Sequence, residues 1–185
     1  MSQCPLCPPG QWQYSWGQGS CLPCSAGMYS SAFGLTVPCT NCGAGTYSTT
    51  YGANSSAVCQ LCPSRTFSTA SGVVSQCTQC KAGQYSTGSG MIVSTVCNLC
   101  QAGTFSPVVG ASSPGTCQPC SSGAYSSATA ATIMDTCLKC DAGMYSTGSG
   151  MIAWSNCTSC PAGTFYPTIG ASSVTLCQQS MYVPQ

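Results

Sequence analysis

One large apolar side chain returns at a fixed place about once in every twenty residues, in a background rich in Ser, Thr and Gly. A surface helix would repeat such side chains at every third or fourth position and a half-buried strand at every second. Neither period is sustained, so the spacing predicts short β and turn segments and no helix. The recurring group is aromatic: Trp12, Tyr29, Tyr47, Phe67, Tyr85, Phe105, Tyr125, Tyr145 and Phe165. Two residues before it stands glycine, except at Arg65. Glycine there suits a turn with φ > 0, where other residues lose about 1 kcal/mol or more.

Each aromatic follows a cysteine by five residues, and that cysteine ends a C-x-x-C pair. The pairs lie at 4/7, 21/24, 39/42, 59/62, 77/80, 97/100, 117/120, 137/140 and 157/160, with Cys177 alone after them. The chain is one phrase, C-x-A-G-x-[Y/F/W]-S, said nine times. A unit this small cannot bury its aromatic alone but can when stacked on its neighbours. We therefore expect a small disulfide-rich fold: an elongated, solenoid-like array with little regular secondary structure, each unit touching only the units before and after. Residues 1–20 would form a partial first repeat, 21–177 the tandem array and 178–185 a tail. A longer period overlies the short one, because 81–117 and 141–177 share 22 of 37 positions without a gap. The units thus recur in an A-B-C order with period 60. If successive units turn by about a third of a revolution, like units share a face.

Paired C-x-x-C motifs admit three chemistries. Four-cysteine zinc sites use similar spacing, but the chain has no histidine, little basic charge, and 19 cysteines that do not divide into fours. A thioredoxin-like thiol couple needs one activated site in a βαβ setting, not nine copies without a helix. Disulfides remain, and the last motif favours one connectivity. Pairs closed on themselves strand Cys177, and crossed neighbouring pairs strand Cys160. Joining the second cysteine of one pair to the first of the next uses Cys177 and needs no cysteine at Ser180, where a further pair would place one. The bridges are then Cys7–Cys21, Cys24–Cys39, Cys42–Cys59, Cys62–Cys77, Cys80–Cys97, Cys100–Cys117, Cys120–Cys137, Cys140–Cys157 and Cys160–Cys177. Cys4 is left for an upstream cysteine or another molecule. Each loop of about 15 residues removes roughly 3 kcal/mol of unfolded-state entropy, at least as much as burying one aromatic, roughly 1.5–3 kcal/mol.

Composition narrows the function. Only five side chains of 185 are charged, Arg65, Lys81, Lys139, Asp135 and Asp141, where ordinary domains carry about one-quarter. Nucleic-acid binding lacks its clustered cations, and no apolar run reaches membrane-spanning length. With no histidine and two carboxylate side chains, catalysis lacks its usual groups, and nothing calls for a cofactor. Cysteine at about a tenth of the residues points to an oxidising compartment. A net charge of +1 leaves little repulsion between copies. Asn54 and Asn156 open N-x-[S/T] sequons, so both are candidate glycosylation sites.

The phrase C-x-A-G-x-[Y/F]-S-x(8–11)-C-x-x-C resembles the ephrin-receptor-like cysteine-rich repeat. It is also similar to the single-disulfide module of tumour-necrosis-factor-receptor cysteine-rich domains. The resemblance runs from Cys4 to Cys177 and departs at Arg65 and Ser180. It implies a secreted disulfide module of the kind found in receptor stalks and in large surface proteins of algae and protists, some forming flagellar hairs. We thus expect a non-enzymatic structural segment of an extracellular filament, flagellar hair or wall layer, partnered by copies of itself, other extracellular proteins and glycans. The alternatives are a spacer or ligand-binding ectodomain of a receptor or adhesin, and a zinc-cluster protein.

Overall fold

The computed structural model describes residues 6–15 and 19–179. Nine antiparallel hairpins follow one another, each strand two residues long. The first strand of each carries the repeat's aromatic; the second is the dipeptide after the closing cysteine, which in the first eight lies inside a C-x-x-C and in the ninth is Gln178–Gln179. Thus Tyr29 pairs with Thr40, and Phe105 with Gln118. In the first eight hairpins only two residues lie between the cysteines that flank the second strand. Among the described residues there is no α-helix and no helix long and apolar enough to cross a membrane. Six repeats instead reach their closing cysteine through a three-residue 3-10 turn. Pro114–Thr116 is one: Ser113 accepts a hydrogen bond from the Gly115 N–H (3.1 Å), and Pro114 stands at the first position. Proline tolerates that position because its missing N–H would have no partner there.

The bridges run in series. Each joins the cysteine that opens a repeat to the one 14 to 17 residues later, as in Cys7–Cys21, Cys42–Cys59 and Cys160–Cys177. Cα separations across Cys24–Cys39, Cys62–Cys77, Cys100–Cys117, Cys120–Cys137 and Cys140–Cys157 are 5.6 or 5.7 Å, ordinary for a disulfide. Cys80 and Cys97 are disulfide-bonded as well. Cys4 lies outside the described residues. The repeats are numbered 1 to 9 below, from Cys7–Cys21 to Cys160–Cys177.

The chain forms two compact bodies, Met1–Cys80 with Ser86–Val96, and Lys81–Tyr85 with Cys97–Gln185. Within each, backbone groups join the repeats by one scheme. The N–H of the turn glycine donates to the carbonyl of the next repeat's serine: Gly27 to Ser48 (2.8 Å) in the first body, Gly103 to Ser126 (2.7 Å) in the second. A second turn glycine donates back, Gly52 to the Cys24 carbonyl and Gly150 to that of Cys120, both 2.7 Å. The aromatics of repeats 1 to 8 also bridge in parallel to the following repeat, as Tyr29 does to Ala53 and Phe105 to Ala131.

Two expectations need correction. Repeats do not touch only their neighbours. A Cβ built on Gly27 would fall against the carbonyl of Gly72, two repeats on; Gly45 stands so to Gly90, Gly103 to Gly150 and Gly123 to Gly170. The turn glycine therefore answers a steric demand from the repeat after next as well as its own φ. The aromatics, moreover, do not dominate the core. Phe105 is buried, most of the others are half-buried, and Phe165 is exposed. Among the described residues the fully buried side chains are the opening cysteines of repeats 1 to 8 and the small serines Ser48, Ser86, Ser106 and Ser126. Strands so short leave interior room for little more than sulfur and hydroxyl.

Candidate interaction surface

In repeats 4, 6 and 7 the turn begun by the opening cysteine and the hairpin strand after it form one wall of a shallow cleft. The residues ahead of the closing cysteine form the other. Repeat 4 has such a cleft of about 140 Å³ beside Pro63, Thr66 and Gln76. Repeat 6 has one of about 190 Å³ between Gln101, Thr104 and Pro114. The cleft of repeat 7 is larger, about 360 Å³, between Ser121, Ser122 and Ala124 on one side and Met134 and Asp135 on the other. Lys139 also lines it, its stem lying over the Gly170 turn. Two of the chain's five charged side chains thus open into one cleft.

In repeat 8 the matching walls carry Asp141 and Trp154. The indole Nε1–H donates to Asp141 Oδ2 at 2.9 Å, tying the 3-10 turn Trp154–Asn156 to the residue after Cys140. The partly exposed pair is a local clasp, and neither residue's partner was evident from spacing. Asp135 and Asp141, considered above only as the two carboxylates, therefore have different settings. No group of three or more His, Cys, Asp or Glu side chains is gathered as a metal site among the described residues. The bridged sulfurs offer no thiolate.

Apolar side chains stand exposed on the loops opposite the bridges. Tyr51, Val109 and Ile169 occupy one position in repeats 3, 6 and 9 and are all exposed. The two sequon asparagines differ. Asn54 is exposed just after the bridging residue Ala53. Asn156 is exposed too, but its Oδ1 accepts from the N–H groups of Ile152 and Ala153 at 3.3 and 3.0 Å. It works as a turn cap.

One further residue carried no signal in the sequence. Gln13 holds the position given to serine in repeats 2 to 8, is 3% exposed, and its Oε1 has no hydrogen-bond partner among the described residues.

Among curated proteins none matches the chain. The family model described as tyrosine-protein kinase ephrin type A/B receptor-like matches residues 1–34 and 128–177. Those segments hold the start of the array and its last two full repeats, and the repeats between them carry the same hairpins and bridges. The chain is an array of cysteine-rich repeats that, over those two segments, is similar to the ephrin-receptor-like family.

Proposed function

We propose that the chain is a non-enzymatic extracellular module whose work is mechanical, as a structural segment of a filament, flagellar hair or wall layer. The observation that carries this reading is the way the repeats are held. Covalent loops follow one another in series, and main-chain hydrogen bonds reach from each repeat to the next within each body. Loop closure confines the unfolded ensemble, and a disulfide framework of this density persists only in an oxidising compartment. The scarcity of charge favours lateral packing, since copies meet with little repulsion. On this reading Asn54 carries an N-glycan; Asn156, whose carbonyl caps a turn and whose neighbour Cys157 is bridged, is the lesser acceptor. The test combines non-reducing peptide mapping with electron microscopy of native material. Serial bridges in protein drawn from regular fibres are expected; free thiols, or protein distributed without fibres, would reject the structural role.

The repeat 7 cleft favours a second reading, a ligand-binding ectodomain. Asp135 and Lys139 both line it, and such a site suits a partner carrying both charges. Capture of a soluble or cell-surface partner that Asp135→Ala and Lys139→Ala each abolish would turn the assignment that way.

A further inference from the structure

The clasp of repeat 8 is not something the fold requires. Repeats 6 and 9 make the same 3-10 turn with Pro114 and Val174 at its first position, and with Gln101 and Pro161 after the opening cysteine. The turn therefore needs neither an indole nor a carboxylate. In repeat 8 it is capped from elsewhere, by Asn156 Oδ1, which accepts from the Ile152 and Ala153 N–H groups at 3.3 and 3.0 Å. Yet one of only two carboxylate side chains in 185 residues is held 2.9 Å from the Trp154 Nε1.

The pair is set out toward solvent. Trp154 is 52% exposed, and no other aromatic ring packs on it among the described residues. The hydrogen bond fixes one edge of the indole, so the side chain loses little further freedom on meeting a ligand. Asp141 is exposed as well. Its Oδ1 and the Nδ2 of Asn156 have no partner among the described residues, and the neighbouring Ser155 and Thr158 are exposed hydroxyls.

A flat apolar face edged by hydrogen-bonding groups suits a ligand that is apolar on one side and hydroxylated at its rim. A pyranose ring has that form. Its C–H groups carry slight positive charge and meet the negative face of the indole; its hydroxyls donate to the carboxylate in charge-assisted hydrogen bonds. A cation also suits a tryptophan face, but Lys139 stands two residues before Asp141, and the segment has no net charge to draw one in.

We infer that Trp154 and Asp141 form a binding site for a neutral pyranose ring. The indole is the stacking platform, and Asp141 both braces it and accepts from the sugar. Two sources could supply the ring: a separate saccharide, or an N-glycan on the chain's own Asn156, which lies in the same turn. Failure of this site would leave the mechanical role standing, because fibres can form without it.

The test follows the Trp154 indole proton resonance of the oxidised chain while tetrasaccharides of glucose, mannose and N-acetylglucosamine are added in turn. A separate saccharide as source predicts a saturable shift at millimolar sugar, the same in the parent and in Thr158→Ala, which removes the sequon and keeps the Asn156 cap. The Asn156 glycan as source predicts Overhauser contacts between sugar and indole protons before any addition, and a response to added sugar only in Thr158→Ala. Trp154→Ala should weaken binding at least tenfold, read from saturation transfer to the sugar, and Asp141→Asn several-fold. Both variants should keep the amide resonances of the other repeats. Absence of any shift together with absence of sugar–indole contacts would overturn the proposal. So would binding undiminished by Trp154→Ala, or a stronger, salt-sensitive response to tetramethylammonium than to any of the sugars.

Discussion

The carbonyl of Gly150 lies where a side chain on residue 103 would begin. Gly103 itself has φ 80°, so a substituent there meets two objections at once, a backbone conformation that disfavours Cβ and a backbone neighbour that cannot swing aside. Gly103→Ala is expected to destabilise the second body by about 3 kcal/mol, adding the left-handed penalty to that of overpacking. Chemical denaturation followed by circular dichroism would measure it. Arg65→Gly, at a turn with φ 73°, should stay within about 0.5 kcal/mol of the parent, because relief of strain is offset by added freedom in the unfolded chain. An equal cost at both sites would remove the case for the close approach.

Opening one loop should loosen one place. Cys100→Ser with Cys117→Ser removes the bridge of repeat 6 and should cost about 3 kcal/mol on the polymer estimate. Hydrogen exchange is expected to accelerate at the Gly103 and Ser106 amides, which bond to Ser126 and Ala131, and little at Gly27. Uniform acceleration along the chain would mean that the loops are not independent.

Full reduction tests the whole scheme. Each repeat has little beyond its bridge and small side chains to hold its hairpin, and isolated two-stranded hairpins are marginal in water. Excess reductant should abolish the slow-exchanging inter-repeat amides and the ordered circular dichroism together. Persistence of both would show that burial alone suffices.

The Trp154–Asp141 clasp is exposed, so its loss should be read spectroscopically. Asp141→Ala is expected to speed solvent exchange of the Trp154 indole proton several-fold and to shift its resonance. Global stability should move by less than about 1 kcal/mol, the usual size of a single exposed hydrogen bond. An unchanged indole proton would mean that the contact does not persist in solution.

How much of this could be read from the residues alone follows from what repeats and what does not. The cysteines and aromatics recur at regular places, so short β and turn segments, with no α-helix among the described residues, were legible, though their pairing as hairpins was not. Glycine was read correctly as a turn residue but incompletely. A turn needing φ > 0 and a turn pressed by the carbonyl of Gly72 or Gly150 both ask for glycine, and sequence does not separate them. The aromatic was overvalued as core for a related reason: volume can be read from the chain, but the room left between two-residue strands cannot. The candidate surface was less legible still. Its clefts are made by residues on opposite sides of each loop, such as Ser121 with Met134 and Asp141 with Trp154, whose pairing appears only once the loop has closed.

The joints between repeats are made almost wholly of peptide groups, which every residue but proline supplies in full. Little is asked of the outward side chains, so they can diverge, acquire sugars or present apolar tips without loosening the joint beneath. Such an architecture can change its outer coat in evolution while keeping its frame, and the differences between Tyr51, Val109 and Ile169 at one position are what that freedom looks like within a single molecule.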